Sequence, residues 1–114
     1  MEIEKRIEAL AAHLELTGEE WEEVTEGYDE THLEYGNQGY LVVTGNEADE
    51  IWEEYLESYF DDCIMPELSE FAARYFDLEA WKRDARFDGR GVCLAPYDHN
   101  EIEAINGLFI YRTN

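Results

Sequence analysis

Apolar residues recur at helical spacing near the start and in the middle of the chain. Ile3, Ile7, Leu10, Ala11 and Leu14 predict an amphipathic helix over residues 2–14. The widest apolar stripe predicts the longest helix, which follows the capping-box pair Thr44 and Glu47 and ends before Pro66. That stripe consists of Ile51, Trp52, Tyr55, Leu56, Tyr59, Phe60 and Cys63.

Shorter helices are predicted from caps and breakers. Thr17 followed by Glu20 is a second capping-box pattern, which indicates a helix over residues 18–25 with Trp21 and Val24 facing the core. Another helix is expected over residues 67–74. Asp77 can cap a helix over residues 78–87, which Gly89 would end. The residues expected to face inward on that helix are Leu78, Trp81, Ala85 and Phe87.

Strands are predicted on either side of a turn and at the end of the chain. Residues 32–35 and 40–44 flank Gly36-Asn37-Gln38-Gly39, which is typical of a β-hairpin. Residues 107–112 form a final apolar strand, whereas residues 92–94 are only a short apolar run. We therefore expect one α+β domain over residues 1–114, with a small three-stranded antiparallel sheet packed against several helices on one face.

The charge of the chain is large and unevenly distributed. Its formal net charge is −21, from 29 acidic and 8 basic residues. Residues 1–70 hold 22 acidic residues against Lys5 and Arg6, and residues 7–73 contain no Lys or Arg. Unrelieved like charge destabilises a compact state, which indicates a use beyond solubility. Because nucleic acids and anionic membranes are themselves polyanionic, direct contact with either is excluded and the expected partner is basic.

Carboxylates along the longest predicted helix are candidate partner-binding residues. They are Glu47, Glu50, Glu53, Glu54, Glu57, Asp61 and Asp62. Together with Asp49 they give about one carboxylate per ~3 Å of helix axis at ~1.5 Å rise per residue. One strand of duplex DNA carries one phosphate per ~3.4 Å. This match in linear charge density indicates a helix that imitates a phosphate strand.

A second acidic run lies earlier in the chain and repeats this density. Its candidate partner-binding residues are Glu19, Glu20, Glu22, Glu23 and Glu26, and Asp29, Glu30 and Glu34 continue the run. Two such rows on neighbouring elements can stand in for the two phosphate strands of a duplex. Rigid carboxylates would then occupy a basic DNA channel through its own affinity for phosphate.

No motif points to an enzyme, a metal site or a cofactor. His13, His32 and His99 are far apart, and the sequence lacks zinc-type Cys/His spacing, a calcium loop, a P-loop and a dinucleotide fingerprint. The run from Asp98 to Glu101 fits a hydrogen-bonded turn better than a metal site. Cys63 and Cys93 fit apolar fillers in a reducing cytosol. We therefore expect a protein without catalytic residues, metal or cofactor.

The few basic residues of the C-terminal part are expected to act within the fold. Arg74, Lys82, Arg83 and Arg86 are predicted internal counter-charges, with Glu79 and Arg83 at i,i+4 spacing. The segment Asp88-Gly89-Arg90-Gly91 is interpreted as a helix end whose arginine ties down the acidic body, and a phosphate-binding nest is the alternative.

The C-terminal third resembles small acidic proteins of phages and other mobile elements. The resemblance is carried by Asp88-Gly89-Arg90-Gly91, Leu94, Tyr97-Asp98, Glu101 and Phe109-Ile110-Tyr111-Arg112-Thr113-Asn114, and by Tyr40-Leu41-Val42-Val43-Thr44 leading into Glu47-Ala48-Asp49-Glu50. Such proteins are expected to have a glycine after Tyr97-Asp98, where this chain has His99. The resemblance implies a phage or plasmid setting, in which compact acidic proteins are often antirestriction or anti-CRISPR proteins that imitate DNA. It implies no site residues.

These observations together predict a phage-type DNA-mimic inhibitor that acts in the bacterial host cytoplasm. Its expected target is a basic nucleic-acid-binding protein, either a CRISPR effector or a restriction enzyme. The alternative is an acidic adaptor or regulator that binds a basic protein unrelated to DNA, and competition with DNA separates the two. The aromatic content, 14% of residues, can also build a homodimer face.

Overall fold

The computed structural model describes residues 3–86 and 89–114, which form an antiparallel sheet flanked by helices. The strand order is β1-β2-β3-β5-β4. The strands are β1 (Thr25–Glu26), β2 (His32–Tyr35), β3 (Gln38–Thr44), β4 (Ile102–Glu103) and β5 (Leu108–Arg112). The mixed helix-and-sheet class is confirmed, but the expected three-stranded sheet is wrong because β1 and β4 add a strand at each edge. Each edge strand has two residues, too few to show an alternating pattern in the sequence.

Helices occupy most of the predicted positions. They are α1 (Ile3–His13), α2 (Gly45–Tyr59), α3 (Glu70–Tyr75), α4 (Leu78–Ala85) and α5 (Arg90–Leu94). Short 3₁₀ helices span Gly18–Glu23, Met65–Glu67 and Ile105–Gly107, and a π-helical turn spans Phe60–Ile64. The expected long helix therefore changes hydrogen-bonding pattern after Tyr59, ahead of Pro66, and Cys63 at its end is exposed.

The hairpin forms with a tighter turn than the sequence predicts. Tyr35 pairs directly with Gln38, so the turn is the two residues Gly36 and Asn37. Gly36 has a φ of 64°, in the left-handed region that glycine adopts without steric cost. The final strand β5 pairs with β3 in antiparallel fashion, as predicted, and places these two strands at the centre of the sheet.

Helices cover both faces of the sheet, whereas one covered face was expected. Successive residues of β3 point to opposite sides, so Val42 belongs to the core with α1 and Val43 to the core with α2 and α5. The core on the α1 side comprises Ala9, Leu10, Val24, Leu33, Tyr40, Val42, Leu108 and Ile110. The opposite core comprises Leu41, Val43, Ala48, Leu94, Ala95 and Tyr111. The uninterrupted apolar run at residues 40–43 is explained by burial on both faces.

Predicted helix caps are present, with one inward-facing residue misplaced. The Thr44 Oγ accepts from the Glu47 N–H at 3.1 Å and Glu47 accepts from the Thr44 N–H at 2.9 Å, which completes the capping box. Asp77 caps α4 through the Ala80 N–H. Val24 is buried as expected, but Trp21 is 38% exposed, so its expected core position is wrong. Its indole N–H donates to the backbone carbonyl of Leu16 instead.

The segment after α4 is where the sequence was least informative. Residues 92–94 belong to the one-and-a-half-turn helix α5, and its Gly91 packs so closely that an added Cβ would lie 2.5 Å from the His99 carbonyl oxygen. His99 has a φ of 60°, the conformation for which a glycine is expected at this position. The inward orientation predicted for Phe87 and the role of Asp88 lie outside the described residues.

The described chain is elongated. Its principal extents are 61 × 24 × 23 Å, and its radius of gyration of 17.0 Å exceeds the about 13 Å of a compact domain of this length. Residues 60–86 form what we call the arm. Within it Phe60 lies against Phe76 and Trp81, with ring centroids 5.0 and 5.8 Å apart. Across the described residues, no helix combines the length and apolarity that a membrane span requires.

Candidate protein-binding surface

The first carboxylate of the α2 row is part of the fold. We use α2 row for Glu47, Glu50, Glu53, Glu54, Glu57, Asp61 and Asp62. Glu47 accepts both terminal guanidinium nitrogens of the fully buried Arg6, at 2.9 and 2.8 Å. Arg6 also donates to the Val42 carbonyl oxygen at 2.7 Å. Although burial favours the neutral carboxyl, the hydrogen bonds from Arg6 and Thr44 hold the pKa of Glu47 below its usual range.

The centre of the α2 row is neutralised by α4. The buried Lys82 ammonium lies 2.6 Å from a Glu53 carboxylate oxygen and 2.8 Å from one of Glu57. Arg86 donates to the other Glu53 oxygen. The hydrogen bonds that Lys82 donates to Glu53, and then to Glu57, raise the pKa of Lys82 to about 12. The hydrogen bond from Lys82 lowers the pKa of Glu53, so both groups remain charged at neutral pH.

The segment at residues 89–91, expected to be a helix end, instead begins α5, whose first residue Arg90 adds another cation to the start of α2. Arg90 pairs with Glu101 at 2.6 Å and with Asp49 at 3.0 Å. Its guanidinium also donates to the Gly45 carbonyl oxygen and lies 4.8 Å from the centroid of the Phe109 ring. These contacts match the interpretation in which Arg90 ties down the acidic body.

The predicted internal counter-charges are confirmed for Lys82 and Arg86. Across residues 3–86 and 89–114, Arg74 and Arg83 form no ion pair, and the predicted Glu79–Arg83 pair is absent. Lys82 approaches Glu79 instead, at 3.9 Å. Four exposed members of the α2 row have no ion pair within the described residues: Glu50, Glu54, Asp61 and Asp62.

The second acidic run lies along one edge of the sheet. We call it the acidic edge, and its carboxylates are Glu19, Glu20, Glu22, Glu23, Glu26, Asp29, Glu30 and Glu34. Glu20 is half-buried and the other carboxylates are exposed. No described Lys or Arg side chain forms an ion pair with any of them, and the only ion pair in this segment joins Asp29 to His32. The acidic edge is therefore the part of the described surface where negative charge is least compensated.

Local hydrogen bonds fix the backbone of the acidic edge. Glu20 accepts from the N–H and the hydroxyl of Thr17, at 3.3 and 3.0 Å, and these bonds lower its pKa. Asp29 accepts from the hydroxyl and N–H of Thr31, at 2.6 and 2.9 Å, and from His32. Chiefly through the Thr31 hydroxyl, the pKa of Asp29 is held far below its usual range. These charges therefore lie on ordered turns and strands.

One aromatic side chain projects from the acidic edge. Tyr28 is 88% exposed, and its ring meets His32 edge-on with the centroids 5.4 Å apart. On the inner side, Tyr35 donates its hydroxyl to Glu20 at 3.3 Å. Burial, followed by the charge of Glu20, raises the pKa of Tyr35. The edge thus combines fixed carboxylates with an accessible ring.

The two acidic rows belong to different layers of the protein. Val24, beside the acidic edge, packs into the core on the α1 side, whereas Ala48 of α2 packs into the opposite core. The pleated sheet lies between these cores. The sequence suggested that the two rows imitate neighbouring phosphate strands. Since the sheet lies between the rows, a partner would have to reach around the sheet to contact both.

Sequence reasoning missed the buried Arg6 and its pairing with Glu47. A signal was present, because Arg6 lies three residues after Ile3 and four before Leu10, on the apolar side of the predicted helix. A cation in that position must find a buried acceptor.

In the described ranges no group of three or more His, Cys, Asp or Glu side chains is arranged to hold a metal ion.

Comparisons with protein-family profiles, with curated proteins and with solved structures give no match to this chain. Any assignment of function therefore rests on the sequence, geometry and charge of the chain itself.

Proposed function

We propose that this protein is a DNA mimic, which inhibits a nucleic-acid-binding protein by occupying its DNA-binding surface. The observation that carries the proposal is the acidic edge: exposed carboxylates on ordered backbone, without a described Lys or Arg paired to them. The resemblance to phage and plasmid proteins favours a host defence nucleoprotein as the target, either a CRISPR effector or a restriction enzyme.

The shape of the chain supports this proposal. A body 61 Å long matches the length of about 18 base pairs at ~3.4 Å per step. Carboxylates fixed on an ordered backbone lose less conformational entropy on binding than a disordered acidic tail would lose. Binding would release counterions and satisfy Lys and Arg side chains that otherwise contact phosphates.

The internal ion pairs define which carboxylates serve the partner. Glu47 pairs with Arg6, Glu53 pairs with Lys82 and Arg86, and Glu57 pairs with Lys82. The charge of these three carboxylates is therefore largely neutralised within the fold. We therefore infer that the acidic edge makes the main contact and that the exposed end of the α2 row, at Asp61 and Asp62, contributes less.

The test is competition with duplex DNA. The purified chain is immobilised, exposed to bacterial lysate at physiological salt with and without excess duplex, and the retained proteins are identified and purified. Displacement of a fluorescent duplex from the retained protein is then measured, and direct binding of the chain to that protein is measured against ionic strength. A DNA mimic retains a DNA-binding protein, loses it to excess duplex, and binds it less tightly as salt rises.

A retained partner that ignores excess DNA would contradict the proposal and favour the acidic adaptor. A partner displaced by DNA with no salt dependence would also contradict it, because phosphate imitation depends on electrostatic attraction.

A further inference from the structure

Two exposed aromatic rings on α3 take no part in the aromatic packing of the described arm. The side chains of Phe71 and Tyr75 are 73% and 75% exposed, and α3 has no buried residue. The ring contacts of the arm instead join Phe60 to Phe76 and Trp81. Packing of the arm therefore uses other rings than these two.

The rings of Phe71 and Tyr75 contact each other and are exposed together. Phe71 and Tyr75 are four residues apart on the same helix face, with centroids 5.1 Å apart and planes inclined at 52°. Ser69 caps the helix by accepting from the Ala72 N–H at 3.1 Å. Rings held on a capped helix lose little entropy on binding, and adjacent exposed aromatic side chains are typical of interface anchors.

Acidic residues flank this aromatic pair in the sequence. Residues 60–77 contain one cation, Arg74, against five exposed carboxylates: Asp61, Asp62, Glu67, Glu70 and Asp77. An exposed apolar pair within an acidic segment is complementary to an apolar patch bordered by Lys and Arg. A second copy of this chain would bring the same acidic segment and a net charge of −21, which disfavours self-association.

We propose that Phe71 and Tyr75 form an apolar anchor that binds a patch of apolar side chains bordered by Lys and Arg on the DNA-binding partner. The inference rests on the proposed function, because it gives the same partner a second contact. The acidic edge supplies attraction that salt weakens, and the anchor supplies attraction that salt does not screen. An apolar contact also selects one partner among the many basic proteins that a carboxylate surface attracts.

Two synthetic peptides of equal length and charge probe this anchor. One is an amphipathic Lys/Leu helix, and the other is its Lys/Gln counterpart with every Leu replaced by Gln. Binding to the full chain is measured by fluorescence anisotropy at low and at high salt. We expect the Lys/Leu peptide to bind about tenfold more tightly, and the preference to persist at high salt. In Phe71→Ser/Tyr75→Ser the preference falls to about twofold or less, with Lys/Gln binding unchanged.

Tyr97→Ser is the matched control, because Tyr97 is an exposed aromatic residue that stacks on Arg112 in another part of the fold. It retains the full preference, and circular dichroism confirms that both variants are folded. Absence of a preference in the parent chain, or its survival in Phe71→Ser/Tyr75→Ser, would overturn the anchor. So would a dimer in sedimentation that this double substitution abolishes, since the rings would then belong to a second copy. Because these assays contain no DNA, failure of the anchor is distinguishable from failure of the DNA competition.

Discussion

The α2 row and the acidic edge contain similar densities of carboxylate, and their electrostatic surroundings differ. Along α2, Glu47 binds Arg6, and Lys82 lies between Glu53 and Glu57. Along the edge the described residues supply only a histidine, to Asp29, and the other carboxylates face solvent or local hydroxyl and amide donors. Carboxylate density in a sequence therefore does not reveal which acidic residues remain free to attract a partner.

This difference in ion pairing indicates that the two rows have different roles. Carboxylates that bind buried cations stabilise the fold, and removal of either member leaves an uncompensated charge. Carboxylates that face solvent beside like charges cost folding free energy, which a binding partner can recover. Three tests of this contrast follow, in order of decreasing expected effect on the stability of the fold.

The largest effect on stability is expected at the buried end of the α2 row. Arg6→Met removes the cation from Glu47 and from the Val42 carbonyl, so it lowers the free energy of unfolding by about 3–5 kcal/mol. Urea unfolding measures the change. The double variant Arg6→Met/Glu47→Gln recovers part of the loss, because the uncompensated charge of the partly buried Glu47 carboxylate is then absent. An Arg6→Met midpoint equal to that of the parent would show that the pair does not hold α1 to α2.

The pH dependence of stability should separate Glu53 from exposed carboxylates. The pKa of Glu53 is lowered by the hydrogen bond from Lys82, so its stabilising contribution is present above its unfolded value of 4.5 and lost as pH falls through the lower folded value. Glu53→Gln should therefore destabilise the chain most near neutral pH. Its deficit relative to the parent should shrink below pH 4.5. A deficit that is constant from neutral to acidic pH would contradict the ion-pair assignment.

The smallest change in stability is expected at the acidic edge, and its sign is opposite. The edge variant Glu19→Gln/Glu22→Gln/Glu26→Gln/Glu30→Gln removes four exposed charges without a described ion-pair partner. We expect a raised unfolding midpoint in dilute buffer, and a smaller gain on raising salt to about 0.15 M than the parent chain shows. A parent midpoint that does not rise with salt would mean that the edge charges are better compensated than the structure indicates.

Much of the fold followed from local signals in the sequence. The capping pairs at Thr44 and Asp77, the Gly36 turn and the central strands were predictable because each depends on neighbouring residues. The two edge strands were not, since two residues give no period. The covering of the second sheet face was also missed, although the uninterrupted apolar run at residues 40–43 is the pattern of a strand buried on both faces.

The sequence predicted which acidic residues form the candidate surface, but it did not predict which of them pair with cations. The sequence identified both acidic rows and the counter-charges Lys82 and Arg86. It could not assign Lys82 to Glu53 and Glu57, because their pairing joins residues 29 and 25 positions apart. The ion pair between Arg6 and Glu47 spans 41 positions. Long-range contacts of this kind decide which carboxylates are free, and they depend on tertiary packing.

We propose that the acidic edge makes the main contact with the partner and that the α2 row contributes less. The edge variant defined above is compared with the α2 variant Glu50→Gln/Glu54→Gln/Asp61→Asn/Asp62→Asn. This variant removes the same number of exposed charges, which likewise have no ion pair within the described residues. Displacement of labelled duplex from the retained DNA-binding protein is measured for both across a salt series. We expect the edge variant to lose about tenfold or more in displacement and to show a shallower salt dependence, and the α2 variant to lose about threefold or less. Equal losses, or a larger loss in the α2 variant, would contradict the claim.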